Sequence, residues 1–389
     1  MNLTPLRVGF VPLLDMAPVV IAQEMGFAQA EGLKLDLRRA PSWSSLRDML
    51  LWGQVDAAQM LAPVPVALAL GLGGAVARLD ILQVMSINGD VIGVSQALAN
   101  RLRHVGHDFA FTDAAQAREA LAQAADGTLR IGVPFPVSTH VELVSYWLRN
   151  SPIDYELCTI PPPRMAAAMA AGEVDAFCVG EPWGSVSVDL GVGTLLLPSR
   201  AIWAVAPEKV LAARHDWVES NPVQTGRLMR AIWRAAKWLG VPENRLIASE
   251  LLARAEYVNA PVEILDRALR GEMVISPQGE LRQVPDMIRF FDGAASFPWR
   301  SQAAWFAAQL ATRHGLDPDQ SIVAAKAICR TDLYRRNLRS AGADLPGASE
   351  KLEGSLHHAT AVASERGQMI LAPDAFFDGK IFDSSQSVR

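Results

Sequence analysis

Short apolar segments alternate with amphipathic ones through the first half of the chain, and this alternation limits the possible folds more than any other feature. The first segment, "RVGFVP", has the composition of a buried strand. The next, "APVVIAQEMG", has the pattern of a helix that Asp15 can cap and Gly26 can end. The alternation continues to about residue 90 with "LKLDLRR", "SSLRDMLLWG", "DAAQML", "VPVALALG" and "ILQVMSI". Because alternating strands and helices form βαβ units around a largely parallel sheet, we predict an α/β fold.

A second series of the same kind follows, and then the pattern changes. The second series contains "RIGVPFP", "YELCTIPP", "PRMAAAMAAG", "VDAFCVG" and "EPWGSVSVDLG". From about residue 200 the chain has a pattern typical of a returning strand pair and then of long helices. A chain of 389 residues is longer than one hydrophobic core usually serves. We therefore predict two lobes joined by a hinge, with lobe one formed by residues 1–92 and 203–389 and lobe two by residues 93–202.

Charge and hydropathy argue against a nucleic acid or a lipid bilayer as the direct ligand. The formal net charge is −5 and the sequence pI is about 5.9, so the chain has no long-range attraction for phosphate backbones or anionic lipid. The longest uncharged stretch, Met60 to Ala77, contains prolines and glycines that favour a short buried helix and a turn over a membrane span. The first residues lack a basic segment followed by an apolar one, so we expect a cytoplasmic protein.

Motifs for enzyme chemistry are missing from the sequence. It contains neither G-x-S-x-G nor H-E-x-x-H, and its glycine group "GLGGA" has the wrong spacing for a dinucleotide site. The three cysteines, Cys158, Cys178 and Cys329, form no metal-ligand pattern and are typical of small core residues. We predict a protein that is not an enzyme, without cofactor or metal.

Polar and aromatic residues instead follow successive predicted strands, where open α/β sheets bind their ligands. Each of them alone has an ordinary structural explanation, but together they indicate one binding site. The candidates are Trp43, Gln59, Asn88, Gly89, Asp90, Ser138, Thr139, His140 and Glu181. Thr139 and Glu142 have the spacing of a capping box, and the start of the helix that they predict attracts anions. We expect Thr139 to cap this helix and His140 to face the cleft.

Several separated motifs resemble the nitrate- and bicarbonate-binding proteins of ABC transporters, most closely the soluble cytoplasmic nitrate/nitrite sensors. The motifs span the chain from Arg7 to Asp383 and include "GFVPLLDMAPVVIAQEMGF", "SWSSLRDML", "AQMLAPVP", "FPVSTHVELVSYWLRN", "PPPRMAAAMAAGEVDAFCVGEPW", "IWAVAPEKVLAARHDWVESNP" and "DAFFDGKIFD". The resemblance implies a two-lobed type II periplasmic-binding-protein fold with a hinge and a ligand cleft between the lobes. It also implies that Trp43, Asp90, His140 and Lys209 contact the anion, with Lys209 neutralising its charge.

Asp90 departs from that family pattern, since nitrate binders have a side-chain amide at this position and a carboxylate would repel nitrate. Three explanations remain open: Asp90 points away and Asn88 donates instead, Asp90 is protonated, or the ligand is different. The bicarbonate-binding relatives use calcium beside their anion, and Glu208 and Glu181 could contribute to such a site. Bicarbonate with calcium is therefore the alternative ligand.

The resemblance implies a cytoplasmic sensor of nitrate or nitrite that regulates nitrate assimilation through an RNA-binding antiterminator as its protein partner. The first alternative is the substrate-binding component of a nitrate or bicarbonate ABC transporter. The second is an enzyme of the same fold, of the thiamin-pyrimidine synthase or sulfinate desulfinase type. Those enzymes need a cysteine-based active site, whereas Cys158 and Cys178 lie inside predicted strands.

Overall fold

The computed structural model describes residues 3–74 and 77–386, which form alternating strands and helices. The strands are β1 (Thr4–Phe10), β2 (Leu33–Arg39), β3 (Ala57–Leu61), β4 (Leu79–Asn88), β5 (Asp90–Ser95), β6 (Leu129–Val133), β7 (Tyr155–Thr159), β8 (Ala176–Gly180), β9 (Gly193–Pro198), β10 (Pro207–Arg214), β11 (Glu272–Val274), β12 (Leu281–Gln283), β13 (Ile288–Arg289), β14 (Thr360–Ala361) and β15 (Ile370–Leu371). The helices are α1 (Ala17–Glu24), α2 (Phe27–Ala30), α3 (Trp43–Leu51), α4 (Pro63–Ala69), α5 (Gln96–His104), α6 (Ala114–Ala124), α7 (Thr139–Leu148), α8 (Met165–Ala170), α9 (Trp183–Asp189), α10 (His215–Ser220), α11 (Pro222–Leu239), α12 (Arg245–Leu252), α13 (Val262–Arg270), α14 (Arg300–His314), α15 (Pro318–Ile328) and α16 (Thr331–Leu338).

Two mixed sheets form the framework, where the sequence predicted largely parallel ones. The first has the strand order β13-β4-β10-β3-β1-β2, and the second has the order β7-β6-β8-β5-β9. Strands joined by helical crossovers are parallel: β1 pairs with β2 and β3, and β6 pairs with β7 and β8. By contrast, β10 is antiparallel to β3 and β4, and β5 is antiparallel to β8 and β9. The antiparallel pairs arise because the chain enters one sheet through β5 and returns to the other through β10.

The chain crosses from one sheet to the other at two places that lie side by side. At the first crossing Gly89 alone separates β4 from β5, and its φ of +102° is a conformation that favours glycine. At the second, residues 199–206 separate β9 from β10. The predicted boundary at residue 92 lies inside β5, which is a strand of the second sheet. The division of the chain into two lobes at the predicted residues stays a prediction.

Contacts of α7 connect the second lobe to α14 and to the C-terminal segment. In α7, Glu142 forms an ion pair with Arg313 of α14, and the Tyr146 hydroxyl donates to Asp378 Oδ1 at 2.8 Å. The indole of Trp203, in the second crossing, stacks on Phe376 with ring centroids 4.9 Å apart. The motif "DAFFDGKIFD" therefore supplies aromatic packing against the hinge.

Some local predictions are wrong. Asp15 does not cap α1; it lies in a 3₁₀ turn, Leu14–Met16, and uses its carboxylate elsewhere. The predicted strand pair around residues 201–218 contains a single strand, β10, followed by α10. Cys178 and Cys329 are buried, but Cys158 lies on the edge strand β7 and is partly exposed. In the described part of the chain, which omits residues 75 and 76 of the uncharged stretch, none of the helices has the length and apolarity needed to span a bilayer.

Close packing at Gly93 gives a test of the second sheet. A Cβ atom at this position of β5 would lie 2.2 Å from Phe177 Cζ in the neighbouring strand β8. We expect Gly93→Ala to lower the free energy of unfolding by about 1–3 kcal/mol, because overpacking forces neighbours to move. Urea denaturation measures the change. Phe177→Leu makes room for the methyl group, so the double variant should lose less stability than the sum of the single variants. Strict additivity would contradict the packing that we describe.

Candidate functional site

Solvent does not reach a cluster of charged and polar side chains at the carboxyl ends of β1 and β3. Lys209 lies at its centre, with its Nζ 2.7 Å from Asp15 Oδ2 and in contact with Glu208 Oε1. Asp15 also accepts a hydrogen bond from Gln59 Nε2, and Gln59 Oε1 accepts one from the backbone of Val11 at 3.1 Å. Lys209, Glu208 and Gln59 are all completely buried. Lobe one therefore places at the interlobe junction an ammonium group that is already paired with two carboxylates.

An irregularity in β10 explains why two consecutive residues both face this cluster. In a regular strand Glu208 and Lys209 would point to opposite faces of the sheet. The pairing of β10 with β4 shifts register between Pro207 and Lys209 and again between Lys209 and Val210. Such a β-bulge changes the direction of a side chain. Here it brings the Glu208 carboxylate onto the ammonium of its own neighbour.

Lobe two contributes Asp90, the first residue of β5, and His140, in the first turn of α7. His140 Nε2 lies 3.0 Å from Asp90 Oδ1, and His140 Nδ1 lies 3.5 Å from Glu208 Oε1. Neither contact has hydrogen-bond geometry, so among the described residues both ring nitrogens lack a hydrogen-bond partner although they are buried. The imidazole is thus held by charge on two sides, with its donors still available.

The charges of this cluster nearly cancel. Burial opposes the charge on Lys209, but Asp15 and Glu208 outweigh it, and the pKa of Lys209 is raised. Burial likewise opposes the charge of His140, yet Asp90 and Glu208 raise its pKa above the usual range. The charge of His140 in turn outweighs burial at Asp90 and lowers the pKa of that carboxyl. Burial and the neighbouring Asp90 raise the pKa of Glu208 to about 7. Burial raises the pKa of Asp15 in spite of Lys209, but its 2.7 Å contact with the ammonium marks an ion pair. Asp15 with Lys209 and Asp90 with His140 are thus two pairs, and Glu208 shares Lys209 with Asp15.

Trp43 closes the cluster from the start of α3. The Lys209 Nζ lies 5.1 Å from the centroid of the Trp43 ring, a cation–π contact. The side chain is 1% exposed, and its Nε1 has no hydrogen-bond partner among the residues that the structure describes. Ser42 caps the helix by accepting a hydrogen bond from Ser45 N. A buried indole N–H without an acceptor is uncommon and points to an acceptor supplied by a ligand.

The start of α7 differs in detail from the prediction. Ser138, not Thr139, is the N-cap: its backbone is extended, and its Oγ accepts a hydrogen bond from Val141 N at 3.2 Å. Thr139 instead donates to the carbonyl of Pro207 in β10 at 3.2 Å. A serine one residue earlier satisfies the helix start, so the threonine is free to bridge the lobes. His140 faces the interlobe junction.

The lobes are closed over this cluster. Leu14 N donates to the Glu181 carbonyl at 2.8 Å, and Trp183 Nε1 donates to the Pro12 carbonyl at 2.8 Å. With the Thr139 contact, these hydrogen bonds join the first lobe to the second around the junction. A ligand in the cluster would be out of contact with water until these bonds open.

Asn88 and Gly89 belong to the hinge and not to the cluster. The Asn88 amide donates to the Ala204 carbonyl at 2.9 Å and accepts from Ala206 N at 3.2 Å, so it ties the two crossings together. Asn88 therefore does not replace Asp90 as a donor. Asp90 does not point away, because it faces His140, and the charge of His140 lowers its pKa, which favours the carboxylate. Of the three explanations for Asp90, a side chain turned away does not fit the structure, and pairing of its charge with His140 is a further explanation that the sequence did not suggest.

Glu181 follows β8 and approaches the cluster from the side of Asp90. A Cβ atom at Gly180 would lie 3.3 Å from Asp90 Oδ1 and 3.7 Å from Asp15 Oδ2, so residue 180 lies beside carboxylates of both lobes. Glu181 Oε2 accepts from Ser185 N at 3.3 Å, and its buried Oε1 has no partner in the described ranges. Burial raises the pKa of Glu181 to about 7.

Asp15 is the functional residue that the sequence reasoning missed, because its place before a helix suggested a cap. Its position after β1 is the same strand-end signal that identified the other candidates, and it could have been found in that way.

Three side chains of the cluster have the spacing of metal ligands. Asp90, His140 and Glu208 each offer one ligand atom, and these atoms lie within 4.8 Å of one another. The set does not fit calcium, which takes six to eight oxygen ligands, because one donor is an imidazole and the Lys209 ammonium already contacts Glu208. A second acidic group, Asp80 with His215 and Glu219, already has a cation between its carboxylates. Arg330 Nη1 lies 2.7 Å from Asp80 Oδ2 and 2.6 Å from Glu219 Oε1.

Two open sheets joined by a double crossing, with charged residues of both lobes enclosed where they meet, define a protein of the periplasmic-binding-protein fold class. Residues 1–253 match the NMT1-like family, and the chain belongs to this family. The predicted fold class and the predicted relationship to nitrate- and bicarbonate-binding proteins are thereby confirmed.

Known relatives agree with this assignment. The nitrate/nitrite binding protein NrtA of Synechococcus elongatus is 30% identical over 393 residues, covering 96% of this chain and 82% of that protein. A crystal structure of the periplasmic nitrate-binding protein NrtA from Synechocystis is similar with a TM-score of 0.83 at 25% identity, covering 99% of this chain and 96% of that one. The nitrate import ATP-binding protein NrtC of Synechocystis sp. is 33% identical over 350 residues, covering 88% of this chain and 51% of NrtC. The chain thus spans about half the length of that relative.

The raised pKa of Glu181 predicts how stability depends on pH. Its pKa rises from an ordinary value of 4.5 to about 7, so between these values the folded protein holds a proton that the unfolded chain releases. The contribution to the free energy of unfolding is present below pH 4.5 and is lost as the pH rises through 7. The loss amounts to roughly 3 kcal/mol, at ~1.4 kcal/mol per pKa unit.

Glu181→Gln removes the carboxyl group that binds this proton. Urea denaturation from pH 4.5 to pH 8 should therefore show the stability of the wild type falling relative to that of the variant. The exposed Glu263→Gln serves as the control for loss of one carboxylate, and its curve should run parallel to that of the wild type. A parallel curve for Glu181→Gln as well would refute the buried, neutral state of Glu181.

Proposed function

We propose that the chain binds nitrate or nitrite between its lobes, as the solute-binding component of an ABC import system. One observation carries the proposal: Trp43, His140 and Lys209 come from separate elements of both lobes and converge on one enclosed point. Two of them bring buried nitrogen atoms that have no hydrogen-bond partner among the described residues. Such donors are costly to bury, so they are explained best by a ligand that accepts from them.

The chemistry of the donors suits a planar, weakly basic monoanion. An indole N–H, an imidazole N–H and an ammonium N–H offer several moderate hydrogen bonds from different directions. The charge on Asp90 is neutralised by His140 within the site, which removes the main objection to an anion at this position. The Asp90 carboxylate then orients His140 and does not repel the anion.

Closure supplies the mechanism of binding. Because the donors come from both lobes, a ligand contacts all of them only in the closed form, and it shifts the balance between open and closed forms by its differential affinity. Micromolar binding corresponds to about 8 kcal/mol, which is ample to close a nearly balanced hinge.

The names of the relatives favour a transport component over the sensor that the sequence suggested. The three relatives described above are named for nitrate or nitrite binding and for nitrate import. A cytoplasmic location and an antiterminator partner stay predictions. Fractionation of cells separates the two: recovery of the chain with the cytoplasm and with a bound RNA-binding protein would favour the sensor, and recovery outside the cytoplasm would exclude it.

Ligand-dependent melting of the purified protein identifies the anion. Nitrate or nitrite at a hundredfold excess over its dissociation constant should add about 2.7 kcal/mol to the free energy of unfolding. Bicarbonate, with and without calcium, is measured in parallel with chloride as the control for ionic strength. We expect no calcium-dependent shift, since the donor set does not suit that ion. A shift that appears only with bicarbonate and calcium would overturn the nitrate assignment.

The indole of Trp43 can be tested alone. Trp43→Phe keeps an aromatic ring beside Lys209 but removes the N–H donor. We expect nitrate binding to weaken about ten- to a hundredfold in calorimetric titration, because a hydrogen bond to a charged acceptor contributes about 1.5–3 kcal/mol. Trp52 ends the same helix and is 74% exposed, so Trp52→Phe is the matched control and should leave the affinity unchanged. Equal affinities of the two variants would remove Trp43 from the site.

A further inference from the structure

Glu208 already occupies part of the place that an anion would take. Its Oε1 contacts the Lys209 ammonium and lies 3.5 Å from His140 Nδ1, so one carboxylate oxygen sits between the two cations of the cluster. A carboxylate is a planar group with two equivalent oxygens, and nitrate has the same arrangement with a third oxygen. The protein thus contains its own oxyanion at the point where the cations of the two lobes meet.

Charge makes joint occupancy unfavourable. The other buried carboxylates near the cations are each engaged: Asp15 with Lys209 and Gln59, and Asp90 with His140. Glu208 is the group that has no cation to itself. Burial and Asp90 raise the pKa of Glu208 to about 7. Above that pH, a second anion beside its carboxylate would bring two like charges together where water cannot screen them.

Only one oxygen of the carboxylate is hydrogen-bonded, since Oε1 accepts from Lys209 Nζ. Glu208 Oε2 is buried and has no hydrogen-bond partner in the described ranges, and the 3.5 Å contact with His140 is longer than a hydrogen bond. An unsatisfied buried oxygen costs free energy, which lowers the cost of moving this side chain away. Glu208 lies in the bulged part of β10, where the strand pairing is already irregular.

We propose that in the closed form without ligand the Glu208 carboxylate occupies the anion position, and that a small oxyanion binds by replacing it between Lys209 and His140. This inference rests on the proposed function for the identity of the anion. It adds that Glu208 competes with the ligand and so sets its affinity.

Two variants that each remove one negative charge beside Lys209 test the competition. Glu208→Gln has the size of the native side chain but cannot act as an anion. We expect it to bind nitrate about tenfold tighter or more in calorimetric titration, since each charge-assisted contact that is freed contributes at least that much. Asp15→Asn removes a charge from the same ammonium, but Asp15 does not reach His140. It should tighten binding less than threefold or weaken it, so the contrast separates occupancy from net charge. An unchanged or weaker affinity of Glu208→Gln, or equal gains in both variants, would overturn the inference.

A halide probe keeps the inference testable if nitrate is not the ligand. Crystals of Glu208→Ala and of the wild type are soaked in sodium bromide, and the anomalous signal locates the ion. We expect bromide between Lys209 and His140 in the variant only. Bromide at this point in both proteins, or in neither, would sink the idea that Glu208 fills it. Failure of nitrate and nitrite to bind either protein, with bromide still found in the variant, would refute the proposed function and leave the inference standing.

Discussion

The burial of the Lys209 ammonium is the constraint on which the rest of the structure depends. A charge this far from water is tolerated only when opposite charges and hydrogen bonds surround it. Its partners come from two places along the chain, the turn after β1 and its own neighbour in β10. Both are held at the same edge of the sheet because β10 runs antiparallel beside β3, with Lys209 opposite Leu61. The returning strand β10 therefore places the positive charge of Lys209 at the junction between the lobes.

The helix α7 connects this junction to α14 and to the C-terminal segment. Its first turn carries His140, and its later turns carry Glu142 and Tyr146, which contact α14 and the C-terminal segment. The helix has ten residues, so a rotation that moved His140 would also disturb the Glu142–Arg313 pair. Burial raises the pKa of Glu142 to about 7 in spite of Arg313, whose own side chain remains 29% exposed. The same helix therefore takes part both in the closed cleft and in the packing against α14 and the C-terminal segment.

The sequence was informative where a signal is local and uninformative where it depends on strand pairing. Apolar alternation predicted the order of strands and helices because burial on both faces of a sheet imposes it. The positions after the strands predicted His140 and Trp43, since those ends meet at one edge. Glu208 became a site residue only through a bulge, and no local pattern in "PEKVL" distinguishes a bulged strand from a regular one. Asn88 was assigned to the ligand, whereas its amide satisfies backbone groups of the second crossing, a contact between residues more than a hundred positions apart.

A nearly neutral cluster has a consequence for selectivity. Cations without partners would attract any anion, and most strongly those with two or three charges. In this chain each cation has a carboxylate of its own, so a second or third charge on the ligand gains little attraction and still loses its hydration on closure. Singly charged, weakly hydrated oxyanions lose the least, and the free nitrogen donors of Trp43 and His140 supply direction without adding unpaired charge. Under the proposed function, the acidic residues beside the ligand would therefore favour monoanions over sulfate or phosphate, because they leave little unpaired positive charge in the cluster.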